Sequence, residues 1–130
     1  LPSSVDCCNN PAITNADLKW ALDAVQLTSY IKTLPKGLDT RVFSEGKQLS
    51  SSNAQKILLA RSIINKPRLL FFEEPTDKID DKAANEIIDF ILSENNKWTV
   101  LVASNNKHWK TKATREITMN EGTIYKDIKK

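Results

Sequence analysis

At 130 residues, 40% hydrophobic and 27% charged, the chain has the composition of one soluble globular unit with a core of its own. A net charge of +3 is too small to argue for nucleic acid as a partner, and no apolar run approaches the roughly 20 residues of a membrane span. Cys7 and Cys8 are adjacent, which disfavours a disulfide between them; with His108 the single histidine, a zinc site lacks ligands and a reducing setting is expected.

Residues 1 to 13, with Pro2, Ser3, Ser4, Asn9, Asn10 and Pro11, read as a loop, and a chain beginning at Leu1 is expected to start inside a longer protein. Thr14 with Asp17 three residues on forms a capping pattern, and Leu18, Ala21, Leu22 and Val25 share one face, predicting a helix over 15–25. Leu27 to Leu34 reads as a short second helix ended by Pro35-Lys36-Gly37. Ile57, Leu58, Ala60, Arg61 and Ile64 repeat at helical spacing within Asn53 to Asn65, and Asn65-Lys66-Pro67 stops that helix. Arg68 to Phe72 reads as a buried strand. Asp80 or Asp81 caps a helix running to about Ser93, with Ala84, Ile87, Ile88, Ile91 and Leu92 as its apolar stripe. Trp98 to Ala103 is a second buried strand, expected to lie parallel to the first because both are continuous apolar runs. Glu116 to Met119 and Thr123 to Tyr125 flank Asn120-Glu121-Gly122 as a hairpin. The lysines at 107, 110, 112, 126, 129 and 130 read as solvated loops and a tail, and His108 as an exposed loop residue. Strand and helix alternate, so the class is α/β with a helical subdomain near the N-terminus and a C-terminal β-hairpin.

Between Gly46 and Asp80 a polar helix start, an apolar strand and an acidic strand end follow one another. Leu49-Ser50-Ser51-Ser52-Asn53 offers hydroxyls and unpaired backbone N–H groups at a helix N-terminus, where the dipole favours an anion. Glu73 and Glu74 stand at the C-terminal end of the strand, where open α/β sheets place their ligands. Taken singly, each feature has a plainer explanation: serines cap helices, and adjacent carboxylates are commonly solvated.

Their spacing resembles the second half of an ATP-binding cassette (ABC) nucleotide-binding domain, and the likeness covers nearly the whole chain. It comprises a degenerate signature motif LSSSN at Leu49 to Asn53, the helix LLARSIINKP, a Walker B strand RLLFFEE and a D-loop at Asp77 to Asp80. Upstream, Leu34-Pro35-Lys36-Gly37-Leu38-Asp39-Thr40-Arg41-Val42, then Glu45, Gly46, Leu49 and Ser50, resembles the exporter branch. A Walker A loop needs GxxxxGK[ST], and neither Gly37, Gly46 nor Gly122 fits it. The resemblance is therefore to the C-terminal portion of such a domain, and the isolated chain is expected not to bind ATP in the usual way. On this likeness about 14–65 is a helical subdomain with the signature helix, and about 66–130 holds the Walker B, D-loop and switch region.

What the resemblance implies about site residues includes several departures. Ser51 and Ser52 stand where glycines are usual and Asn53 where glutamine is usual; a Cβ crowds the backbone's approach to phosphate, although the hydroxyls of Ser50, Ser51 and Ser52 donate. Glu73 falls on the Walker B aspartate that holds the Mg2+ water shell, one methylene too long, and Glu74 on the catalytic glutamate that polarises water. Asp80 matches the D-loop aspartate, while Asp77 and Lys78 replace small residues. Asn105 replaces the switch histidine; it donates an amide hydrogen bond but cannot take up a proton or carry charge.

The implied function is a portion of the ATP-hydrolysing domain of an exporter-like transporter, with ATP and Mg2+ bound only in the full assembly. The implied partners are a second nucleotide-binding domain and transmembrane domains, the setting cytoplasmic and membrane-associated. The alternative is a non-catalytic degenerate cassette that serves as a dimerisation or regulatory module.

Overall fold

Thr14 caps the first described helix as expected: its hydroxyl accepts from Asp17 N at 3.1 Å and its own N–H donates to Asp17 Oδ2 at 3.0 Å. These bonds close a capping box on α1 (Asn15–Ala24), and the backbone N–H of Thr14, followed by Lys66, holds the Asp17 carboxyl below its usual range. In the computed structural model residues 13–33 and 50–130 are described. Residues 1 to 12, with both cysteines and all of the expected entry loop but Ile13, and the exporter-like stretch from Leu34 to Leu49 lie outside the described residues.

α1 ends in a Schellman turn, Leu27 N to Leu22 O at 2.9 Å and Gln26 N to Asp23 O at 3.1 Å, with Gln26 in the left-handed region at φ 60°. Gln26 Nε2 also donates to Glu86 at 2.5 Å. The chain then enters α2 (Thr28–Thr33). Ser50 caps α3 (Ser51–Ile63) by accepting from Asn53 N at 3.1 Å, so this helix starts two residues before the expected Asn53. Lys66, at φ 47°, and Pro67 end the run.

β1 (Leu69–Glu73) and β2 (Thr99–Ala103) pair in parallel, with Leu69 opposite Thr99 and Glu73 opposite Ala103. α4 (Asp81–Ile91) connects them, capped by Asp80 Oδ2 accepting from Ala83 N at 3.1 Å. Its Ala83, Ala84, Ile87, Ile88 and Ile91 are all buried and pack in one core with Leu70 and Phe72 of β1, Ile57, Leu59, Ala60 and Ile63 of α3, and Ala21, Val25 and Leu27. The strands were expected to be buried throughout. Only the inward set of β1 is: Leu70 and Phe72 are buried, whereas Leu69 (60%), Phe71 (68%) and Leu101 (51%) are exposed. Side chains alternate across a strand, and among the described residues helices cover just one face of this pair.

Beyond α4, Trp98 Nε1 donates to Ile91 O at 2.7 Å, and Trp98 and Phe90 flank Trp20 with ring centroids 6.3 and 5.6 Å away. Lys66 Nζ lies 5.2 Å over the Trp20 ring, so an aromatic cluster ties α1 to the lower edge of the parallel pair.

The segment read as a lysine-rich loop forms α5 (Lys107–Lys112). Asn106 caps it, and Trp109 anchors it: the indole is 2% exposed, packs 6.4 Å from Phe72 and sits 3.3 Å from Thr76 Oγ1 as donor. His108 is thereby corrected from an exposed loop residue to a half-buried helical one, with Nε2 2.7 Å from Asp89 Oδ1.

β3 (Arg115–Asn120) and β4 (Thr123–Lys129) form a separate antiparallel hairpin, longer than its apolar residues indicated. Lys126 and Lys129 belong to β4 rather than to a tail, and Lys110 and Lys130 both reach Glu116, at 3.2 and 3.5 Å. Glu121 (φ 50°) and Gly122 (φ 79°) make the two-residue turn; positive φ at both positions matches the twist of a hairpin.

Candidate functional site

The C-terminal ends of β1 and β2 bring Glu74 and Asn105 together. Glu74 N donates to Ala103 O at 2.8 Å, carrying the parallel ladder one residue past Glu73. Beyond that bond Glu74 turns into the left-handed region at φ 42°, immediately before Pro75. A non-glycine residue there stores strain of about 1–3 kcal/mol, which the surroundings must hold in place. Its carboxylate is the anchor: Oε2 accepts from Ser104 Oγ at 3.1 Å and Oε1 from Asn105 N at 2.9 Å. Ser104 Oγ in turn accepts from Asn106 N at 3.0 Å, so one hydroxyl joins the carboxylate to the start of α5.

Glu73, one residue earlier, alternates to the other face. It is exposed and lies on the side of the sheet where Leu69 and Phe71 are bare. The two adjacent carboxylates therefore point to different surroundings, one engaged and one open. Among the described residues no group of three or more His, Cys, Asp or Glu side chains is arranged to hold a metal ion.

The serine-rich turn stands at the head of α3. Ser50 spends its hydroxyl on the cap, Ser51 is exposed, and Ser52 and Asn53 are half-buried. Among the described residues no hydrogen bond joins the side chains of Ser50 to Asn53 to either glutamate. The link comes from Gln55, half-buried in the same helix. Its Nε2 donates to Glu74 O at 3.0 Å and Asp77 Oδ1 at 2.5 Å, and its Oε1 accepts from Lys78 N at 2.8 Å. Asp80 spends its carboxylate on the α4 cap.

Sequence reasoning missed Ser104 and Gln55. Ser104 carried a positional signal, since it lies between the end of β2 and Asn105. Gln55 carried none, because its partners are 19 to 23 residues away and meet it only through the fold.

No family model matches the chain. Over 92 residues it is 36% identical to the macrolide export ATP-binding/permease protein MacB of Bdellovibrio bacteriovorus, a match covering 70% of the chain and 14% of that protein. Over 108 residues it is 30% identical to ATP-binding cassette sub-family C member 3 of Homo sapiens, covering 83% of the chain and 7% of that protein. In fold it is similar to a bacterial Atm1-family ABC exporter solved with ATP bound, with a TM-score of 0.81 at 20% identity over 93% of this chain and 21% of that one. The match thus spans only a small fraction of these relatives' own lengths. In sequence and fold this chain corresponds to the C-terminal portion of an ABC transporter nucleotide-binding domain.

Proposed function

We propose that the chain is part of the ATP-hydrolysing domain of an ABC exporter-like transporter, contributing signature and Walker B-like elements to ATP sites at a dimer of two such domains. The transporter's transmembrane domains would hold it at the cytoplasmic side of a membrane; no helix among the described residues is long and apolar enough to cross one. The observation that carries this reading is the Glu74 carboxylate, held at the carboxyl end of a parallel strand by Ser104 Oγ and Asn105 N.

The donor set fits Mg-ATP as one share of a divided site. Glu73 would supply a single carboxylate toward the metal, the small protein share that suits Mg2+. The bound metal neutralises phosphate charge. Glu74 acts as the acceptor that orients and polarises an attacking water, its direction fixed by the two donors behind it. Asn105 offers an amide donor to a terminal phosphate but takes up no proton. At the head of α3 the hydroxyls of Ser51 and Ser52, the side chain of Asn53 and the free N–H groups of the first turn would hold the phosphate of the opposite site, Ser50 keeping the turn in shape. Asp80 would act at the dimer boundary.

A second reading is favoured by one feature: Ser51, Ser52 and Asn105 replace two glycines and a histidine, which fits a degenerate cassette that binds its partner without turnover. Steady-state ATP hydrolysis by the complete polypeptide separates the two. Glu74→Gln is expected to lower kcat by about a hundredfold or more, and Ser51→Gly, Ser52→Gly and Asn105→His to raise it. An unchanged rate in Glu74→Gln overturns the assignment of Glu74. A wild-type protein that keeps its partner contacts yet hydrolyses nothing, before or after those restorations, establishes the second reading.

A further inference from the structure

Gln55 satisfies three groups at once on the segment that leaves β1: a carbonyl, a carboxylate and a backbone N–H. Only a side chain with both donors and an acceptor meets that set; a carboxylate would repel Asp77 and the Glu74 carbonyl, and an ammonium would leave the Lys78 N–H unpaired. Glu74 is the strained residue of this segment, and Pro75 after it has no N–H with which to tie the turn. The Glu74 peptide is therefore fixed by Ala103 O on its amino side and by Gln55 on its carbonyl side.

We infer that Gln55 is a positioning residue that couples the serine-rich head of α3 to the Glu74 carboxylate, through the Glu74 carbonyl and the 77–78 loop. The inference rests on the functional reading above, in which the α3 head serves one ATP site and Glu74 the other. Under that reading Gln55 is the hydrogen-bonded link inside one chain between two sites. A shift of α3 toward phosphate pulls on the Glu74 peptide, and so on the carboxylate that Ser104 Oγ and Asn105 N hold. Gln55 touches no reacting atom and acts only through Glu74.

The test uses the complete polypeptide with Gln55→Met and Gln55→Glu, read by ATP hydrolysis across pH and by amide exchange at Lys78. Gln55→Met keeps the volume and removes every hydrogen bond; kcat is expected to fall about tenfold or more with little change in the KM for ATP, since a small misplacement of a catalytic group is costly. Lys78 exchange accelerates in the same variant. Gln55→Glu keeps the acceptor for Lys78, so exchange stays slow. Its kcat is low at neutral pH and recovers relative to wild type as pH falls, because a protonated carboxyl regains one donor beside Asp77. A purely structural role predicts no such pH rescue, and its absence overturns the positioning assignment. Unaltered Lys78 exchange in Gln55→Met overturns the clasp whatever the hydrolysis rate. A wild-type protein that turns over no ATP instead overturns the functional reading, and Lys78 exchange then still decides whether Gln55 holds the segment.

Discussion

The parallel pair β1–β2 and the hairpin β3–β4 are both two-stranded, yet they are held by different forces. Helices cover one face of the parallel pair, so Leu70 and Phe72 are buried in the shared core, while the hairpin exposes Met119, Ile124 and Tyr125 at 63%, 62% and 74%. The hairpin's order comes from its own ladder, its turn and charge pairs such as Arg115 with Asp127. A two-stranded ribbon without cover is marginal by itself, whereas a strand pair packed on helices draws on the whole core. The site is built where the core is: Glu74, Ser104 and Asn105 follow directly from the two paired strands.

The largest effect that sharpens this contrast is expected at Trp109. Its indole is buried, packs at a tilt near Phe72 and donates its N–H to Thr76. Trp109→Ala should lower unfolding stability by about 3–5 kcal/mol, whereas Tyr125→Ala on the hairpin should stay within about 0.5 kcal/mol. Denaturant unfolding of both variants measures the difference. Equal losses would mean that the hairpin is packed as firmly as the core.

Legibility in the sequence followed the same divide. α1 and α4 were readable because a side-chain cap and an apolar stripe agree at each: Thr14 with Asp17, and Asp80 followed by Ala84, Ile87, Ile88 and Ile91. Parallel pairing was readable from the apolar runs, but which residues faced inward was not, since LLFF is apolar on both sides and only the coverage distinguishes Phe72 from Phe71. α5 was hidden because six residues with three lysines and a single apolar anchor have no period to detect. The approach of Glu74 to Asn105 was implicit in two parallel strands ending together. Gln55 and Ser104 were not, because hydrogen bonds between distant segments leave no mark on local pattern.

A smaller effect tests the bare face of the parallel pair. Leu69, Phe71 and Leu101 form an apolar surface of the kind that promotes association. Phe71→Lys or Leu101→Lys is expected to leave the unfolding midpoint nearly unchanged while reducing self-association and binding of a hydrophobic dye. Sedimentation and dye fluorescence read this directly. A large drop in stability from Phe71→Lys would show that both faces of β1 contribute to the core, and the contrast with Phe72 would disappear.

The smallest effect concerns acid and belongs to the hairpin. Arg115 donates from Nε to Asp127 Oδ1 at 2.8 Å and from Nη2 to Oδ2 at 2.5 Å, a bidentate pair across β3 and β4. The Arg115 hydrogen bonds hold the Asp127 carboxyl below its ordinary value of 3.8, and the pair is partly open to solvent, so its contribution is modest and screened by salt. A depressed folded-state pKa makes the contribution present above the ordinary aspartate value and lost as pH falls below it through the folded value. Strand exchange in β3 and β4 should therefore quicken below that value, before β1 and β2 respond, since no comparable carboxylate pair spans the parallel strands. Arg115→Gln should raise the Asp127 pKa toward 3.8 and abolish the hairpin's separate acid response. Simultaneous loosening of both strand pairs in the unmodified protein would mean that the hairpin shares the core's cooperativity and is not held by its own charges.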